Sequence, residues 1–294
     1  MDYSLRSIGV RKVILITLGF NLLVGLTKII YGMIVNSVAI MSDGIHTLFD
    51  GFNNIMGLVG IYYASRTPDE KHPYGYRKFE TVLTIFIGVM MFFTAYTIFH
   101  RAFESFISNQ PSTAGLEAFL VMLVTLSVNF FVSAYERKKG LELNSEFLVA
   151  DAGYTRSDVY VTLGVIAGLI LARLGFSKAD PIVGMIVGFI VAWMGVTIFR
   201  NTIAILVDES VLDSHDIMER VCAIDGVESC HKIRSRGPEG NVFIDLHVQV
   251  DPLISVNDGH EIANVVKKDL KTKISGVVDV VVHIEPVTKP EDKP

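Results

Sequence analysis

Six apolar runs in the first 207 residues constrain this chain of 294 more than anything else in it. They cover positions 13–35, 38–64, 79–106, 116–135, 147–174 and 181–207. A helix needs about 20 apolar residues to cross the ~30 Å hydrocarbon core of a bilayer, where every backbone polar group must be satisfied inside the segment. Six such runs predict a bundle of six transmembrane helices. The first run is too long for the ~7–15-residue core of a cleavable leader, and no small-residue cleavage pattern follows it. Punctuation falls between the runs: Asn36-Ser37, Arg66-Thr67-Pro68, Gln110-Pro111-Ser112, Gly175 and Asp180-Pro181.

Lys and Arg orient the bundle, because loops rich in them stay in the cytoplasm. Arg6, Arg11 and Lys12 precede the first run. Arg66, Lys71, Arg77 and Lys78 follow the second, and Arg137, Lys138 and Lys139 follow the fourth. The opposite side has only Lys178 in its last loop. Both termini are therefore expected in the cytoplasm of a multi-pass protein of the cell (inner) membrane. The 26 Lys and Arg against 31 Asp and Glu leave a net charge of −5. The acidic excess lies after residue 207, so a basic nucleic-acid surface is excluded. Cys222 and Cys230 both lie in that acidic part and read as reduced, buried core residues.

Residues 208–290 change character. Positions 227–233, 242–250 and 277–284 read as strands, and 214–222 and 257–274 as helices. That order, αββαβ, predicts a small α+β sandwich of one sheet and two helices. A polar tail, 291–294, closes the chain.

Ionisable residues inside a span are costly and mark function. The second span carries Asp43-Gly-Ile-His46-Thr-Leu-Phe-Asp50, and the fifth carries Asp151-Ala-Gly-Tyr154-Thr-Arg-Ser-Asp158. Within each, His46 and Asp50, or Tyr154 and Asp158, are four residues apart and share a helix face. If the two faces meet, one imidazole, two carboxylates and a phenol converge, a donor set for a divalent transition metal. Asp43 and Asp151, farther along the same helices, read as packing or hydrogen-bonding residues. No His-Glu-x-x-His pattern supports a membrane metalloenzyme.

Six spans, the paired x-x-x-Asp motifs and the αββαβ tail resemble the cation diffusion facilitator family. So do His72-Pro-Tyr-Gly-Tyr-Arg-Lys-Phe-Glu80, Asp180-Pro181 and Leu206-Val-Asp208-Glu209. The resemblance implies six transmembrane helices (1–207) and a cytosolic ferredoxin- or metallochaperone-like domain (208–290) that senses metal and dimerises. It implies proton-coupled export of Zn²⁺, Fe²⁺ or Mn²⁺ through His46, Asp50, Tyr154 and Asp158, with no enzymatic reaction. Tyr154 stands where zinc-selective relatives have His, which implies a more oxygen-rich site. A loop site would keep only Asp69 and His72, with Tyr76 in place of a further His. Tail metal sites would draw on His231, His247, His260, His283 and Glu285. Lys78 and Asp208 correspond to a charge interlock between the two protomers of a homodimer. The partners implied are the lipid bilayer, protons and a second copy. The rival expectation is a non-transporting, metal-sensing scaffold subunit.

Overall fold

The computed structural model describes residues 3–34, 38–108, 116–174, 176 and 178–287. The breaks expected at 36–37, 110–112 and 175, and the tail 291–294, lie outside them. The chain divides into two compact units, Met1–Thr202 and Ile203–Pro294.

The first unit is built on six long helices: α1 (Tyr3–Ile34), α2 (Val38–Ala64), α3 (Lys78–Ser108), α4 (Leu116–Glu142), α5 (Glu146–Arg173) and α6 (Ala179–Leu206). Several outrun their apolar stretches, because polar side chains at their ends have partners. Arg6 anchors the added start of α1 by donating to the Leu143 and Asn144 carbonyls, each at 2.8 Å. Arg11 reaches the Ser65 hydroxyl, also at 2.8 Å. The interior is apolar and tight, centred on Val10, Ile14, Ile61, Ile87, Met91, Phe147, Leu148 and Val191. Close helix approach depends on small residues: a Cβ on Gly25 of α1 would lie 3.1 Å from the Gly44 carbonyl of α2.

The outside is apolar too. Leu23, Phe93, Phe131, Phe189 and Trp193 are each more than 60% exposed, whereas Asn54, Glu136 and Asp151 are at most 4% exposed. Apolar outside and polar inside is the arrangement that a hydrocarbon solvent selects. Among the described residues, four helices are long and apolar enough to cross a membrane: α1, α3, α4 and α6. α2 and α5 are the two whose apolarity falls below that measure. Both are as long as the others, at 27 and 28 residues, but their inward faces carry the acidic and amide residues described below.

The second unit runs α7 (Ser214–Cys222), β1 (Ser229–Arg236), β2 (Val242–Val250), α8 (Val256–Lys273) and β3 (Val277–Pro286). Sheet order is β1-β2-β3, with β1 antiparallel and β3 parallel to β2. Strict alternation along β2 sends Ile244, Leu246 and Val248 into the core with Ile217 and Val221 of α7 and Val266 and Leu270 of α8. Fully burying each such side chain contributes about 1.5–3 kcal/mol. Asp213 caps α7, and a Ser255–Asp258 capping box starts α8. β1 begins and ends later than its sequence suggests. Its pairing slips between His231 and Arg234, with Lys232 at φ +49°, and a residue is thereby added to the strand without losing the ladder. Cys230 is buried, as expected, and burial pushes its thiol up to about 12. Cys222 is exposed, a correction: it ends α7, past the core-facing Val221.

Candidate metal centres

Four helices meet around one polar cavity of about 20 Å³, lined by Asn21 of α1, Asp50 and Asn54 of α2, Glu136 of α4, and Asp151, Tyr154 and Asp158 of α5. That is space for one water-sized guest. The helical period builds the site. Residues 151, 154 and 158 recur at spacings of three and four, so α5 presents them as one stripe, and 47, 50 and 54 do the same on α2. The Tyr154 hydroxyl donates to Asp50 Oδ1 at 3.2 Å, joining the two stripes. Thr17 donates to Asn54 at 3.3 Å and Thr155 to Glu136 at 3.2 Å. Buried Lys28 donates to Thr47 at 3.0 Å.

The structure thus brings Asp50, Tyr154 and Asp158 to one place. The His46 side chain, like that of Asp43, lies outside the described residues. Sequence reasoning missed Asn54 and Glu136 as lining residues and set Asp151 aside as packing. Asp151 faces the same cavity as Asp158, two turns further on. The apolar run 116–135 stops one residue short of Glu136, which three basic residues follow; α4 continues to Glu142 and keeps Glu136 inside, 1% exposed. Carboxylate, phenol and amide oxygens dominate the lining, a donor set suited to hard and borderline divalent ions.

The loop pair is organised differently. Asp69 Oδ1 accepts from the backbone N–H groups of Lys71 and His72 at 3.0 and 2.7 Å, and Oδ2 accepts from the Tyr76 hydroxyl at 2.5 Å. The His72 ring lies 4.2 Å from that of Tyr76, and its Nδ1 is 3.5 Å from Asp69. The Tyr76 hydrogen bond, then the one from His72, holds the Asp69 carboxyl below its usual range, and the same contact raises the Tyr76 phenol. Asp69 therefore spends its oxygens closing a turn.

In the tail unit the open face of the sheet gathers histidines. His231 stands opposite His247, and His247 opposite His283, in one row across the three strands. Glu285, two residues beyond His283, points the same way. Its oxygens lie 2.6 Å from His247 Nδ1, 3.2 Å from His231 Nε2 and 3.6 Å from His283 Nε2. Donor atoms of His231, His247 and Glu285 all fall within 4.8 Å of one another. The hydrogen bond with His247, reinforced by the basic surroundings, keeps Glu285 below the ordinary carboxyl range, so it stays an anionic acceptor. Two imidazoles and a carboxylate so placed could hold a metal ion, with His283 at the rim. His260, exposed on α8, lies outside this cluster. In the full chain, Glu285→Ala should weaken Zn²⁺ binding at the tail, followed by calorimetry, at least about tenfold, while His260→Ala leaves it unchanged. Binding should fade in acid, since protonated imidazole cannot ligate. Equal losses in both variants would remove this site.

A buried charge cluster closes one end of the first unit. Glu80 of α3 is fully buried, pairs with Arg6 at 2.8 Å and lies 3.7 Å from Arg77. It also accepts from the Ser145 hydroxyl. Arg77 donates to the Asn144 carbonyl at 2.6 Å, so the turn before α5 is tied to α1 and α3 together. Lys78 opens α3; Asp208, in the second unit, has Arg236 at 3.5 Å.

The Cation efflux transmembrane domain matches residues 14–207, and the Cation efflux protein, cytoplasmic domain, matches residues 205–287. An uncharacterized transporter of Methanocaldococcus jannaschii is 33% identical over 94% of this chain and 98% of its own. The manganese efflux system protein MneP of Bacillus subtilis is 27% identical over 94% and 96%, respectively. Magnetosome protein MamB of a Magnetospira species is 26% identical over 88% and 89%. Since these two domains take in both the helical bundle with its polar cavity and the sheet with its histidine row, the chain belongs to the cation diffusion facilitator family, multi-pass membrane transporters for metal-cation efflux.

Proposed function

We propose that this protein exports a divalent transition-metal ion, Mn²⁺ or Fe²⁺ in preference to Zn²⁺, from the cytoplasm in exchange for protons. The observation that carries the reading is the convergence of Asp50, Tyr154 and Asp158, from two helices far apart in sequence, on one buried cavity. With the cavity open to the cytoplasm, the two carboxylates attract the ion. His46, one turn from Asp50 on α2, supplies a nitrogen, and the Tyr154 phenol an oxygen. Ligands must shed their protons to bind, so loading expels protons. The helices then rock, the cavity opens outward, and protons reload His46, whose ordinary pKa is ~6.5, and the carboxylates. The ion leaves as its ligands are neutralised. The oxygen-rich lining favours the harder ions, and the relative named for manganese efflux supports that choice.

The acidic tail unit acts as sensor and dimer contact. A metal at His231, His247 and Glu285 would offset its negative charge and let two copies approach, with Lys78 and Asp208 securing the protomers at the cytoplasmic surface. Proteoliposomes loaded with a pH-sensitive dye test the proposal. Mn²⁺ addition should drive proton movement in the wild type, and Tyr154→His should shift preference toward Zn²⁺ by on the order of tenfold. Normal dimer assembly with no metal-dependent flux would instead identify a scaffold subunit. Unchanged selectivity in Tyr154→His would show that the phenol is not a ligand.

A further inference from the structure

The cavity holds more acid than a single doubly charged ion at Asp50 and Asp158 needs. Asp151 and Glu136 line it as well, 4% and 1% exposed. Among the described residues no Lys or Arg pairs with either, and no hydrogen bond reaches the Asp151 carboxylate, which faces the cavity. Glu136 accepts from Thr155. Buried carboxylates are paired, metal-bound or protonated. Among the described residues the two are not hydrogen-bonded to each other, and any proton either carries must leave before it can hold a cation. Around them stand the Asn54 and Asn129 amides and the Thr155 hydroxyl, oxygens able to fill out a cation's shell.

Position along the bundle gives this pair a role. Asp151 precedes Asp158 by seven residues, about 10 Å along α5, toward the end where Glu80, Arg6 and the 143–145 turn meet. Glu136 sits near that same end of α4. We propose that Glu136 and Asp151 form a second oxygen-donor station for the divalent cargo, through which the ion passes between that end of the bundle and the Asp50–Asp158 station. The proposal rests on the transport reading and adds a stop on its path.

The test uses full-length protein in detergent carrying His231→Ala, His247→Ala and Glu285→Ala, so that the tail cluster takes up no ion. Mn²⁺ binding is followed by the electron paramagnetic resonance signal of the free ion. With Asp50→Asn and Asp158→Asn added, the protein should still bind Mn²⁺, about tenfold or more weakly. Asp151→Asn or Glu136→Gln on top of that should abolish the remaining binding, and Asp151→Glu, which keeps the charge, should retain it. Complete loss of binding on removing Asp50 and Asp158 alone would overturn the second station while leaving the transport reading in place. So would residual binding indifferent to both Asp151→Asn and Glu136→Gln, or a fall in protons exchanged per ion with Mn²⁺ binding unaltered. A parent protein, intact at all four carboxylates, that neither binds nor moves Mn²⁺ would defeat both readings.

Discussion

Asp50→Asn and Asp158→Asn should each reduce metal flux in proteoliposomes at least about a hundredfold, a loss of roughly 2.7 kcal/mol in stabilisation of the bound ion. Each change swaps one oxygen for an amide nitrogen, so helix packing is kept while one full negative charge is removed. In a cavity this enclosed, charge is poorly screened, and a doubly charged ion left with half its compensation is held far less well than in water. Asp50 also accepts the Tyr154 hydroxyl, so Asp50→Asn disturbs the position of the phenol as well. Purified variants should elute like wild type on size exclusion. Either variant retaining more than half the wild-type flux would mean that the ion takes another route.

The second large effect concerns stability. Glu80→Ala should lower the unfolding free energy in detergent by about 3–5 kcal/mol, because Arg77, which is buried, and Arg6, which is largely so, would lose their carboxylate. Ser145, in the turn into α5, would lose its tie to α3 at the same time, while the Arg77 bond to the Asn144 carbonyl remains. Replacing both partners, Glu80→Met with Arg6→Met, should recover part of the loss, since Arg77 is then the one guanidinium of the cluster left without that carboxylate. Thermal unfolding of the single and double variants measures the coupling. A double variant no more stable than Glu80→Ala would show that the ion pair is not what matters at Glu80.

Local patterns made most of this architecture readable. α2 and β2 start and stop where their apolar patterns do, because one gives way to the polar Arg66-Thr67-Pro68 segment and the other alternates without a break. Asp50, Tyr154 and Asp158 were legible because helical spacing puts each pair on one face whatever the neighbours do. Less legible were features decided by distant partners. The start of α1 is set by Arg6 meeting Glu80, 74 residues away. Glu136 was hidden by the basic run that follows it, which reads as a loop although the helix continues through it. Strand alternation put His283 and Glu285 on one side, but only the pairing register brings His231 and His247 beside them and leaves His260 out. Cys222 shows the same limit on a helix end, where one residue past the core-facing position suffices to expose it.

The glycine contact between α1 and α2 has a mechanical corollary. Gly25 and Gly44 face each other so closely that a methyl group on either would strike the other's carbonyl, and Gly32 stands equally close to the backbone of Met41. Leu48 of α2 and Ile29 of α1 pack directly beside these glycines, so one stave cannot slide along the other without driving backbone into a side chain. Asn21 and Asp50, one from each stave, must then travel together, and α4 packs much less extensively on α1 than α2 does. In the transport cycle proposed above, the seam that would part is the one between the α1–α2 stave pair and the α4–α5 wall.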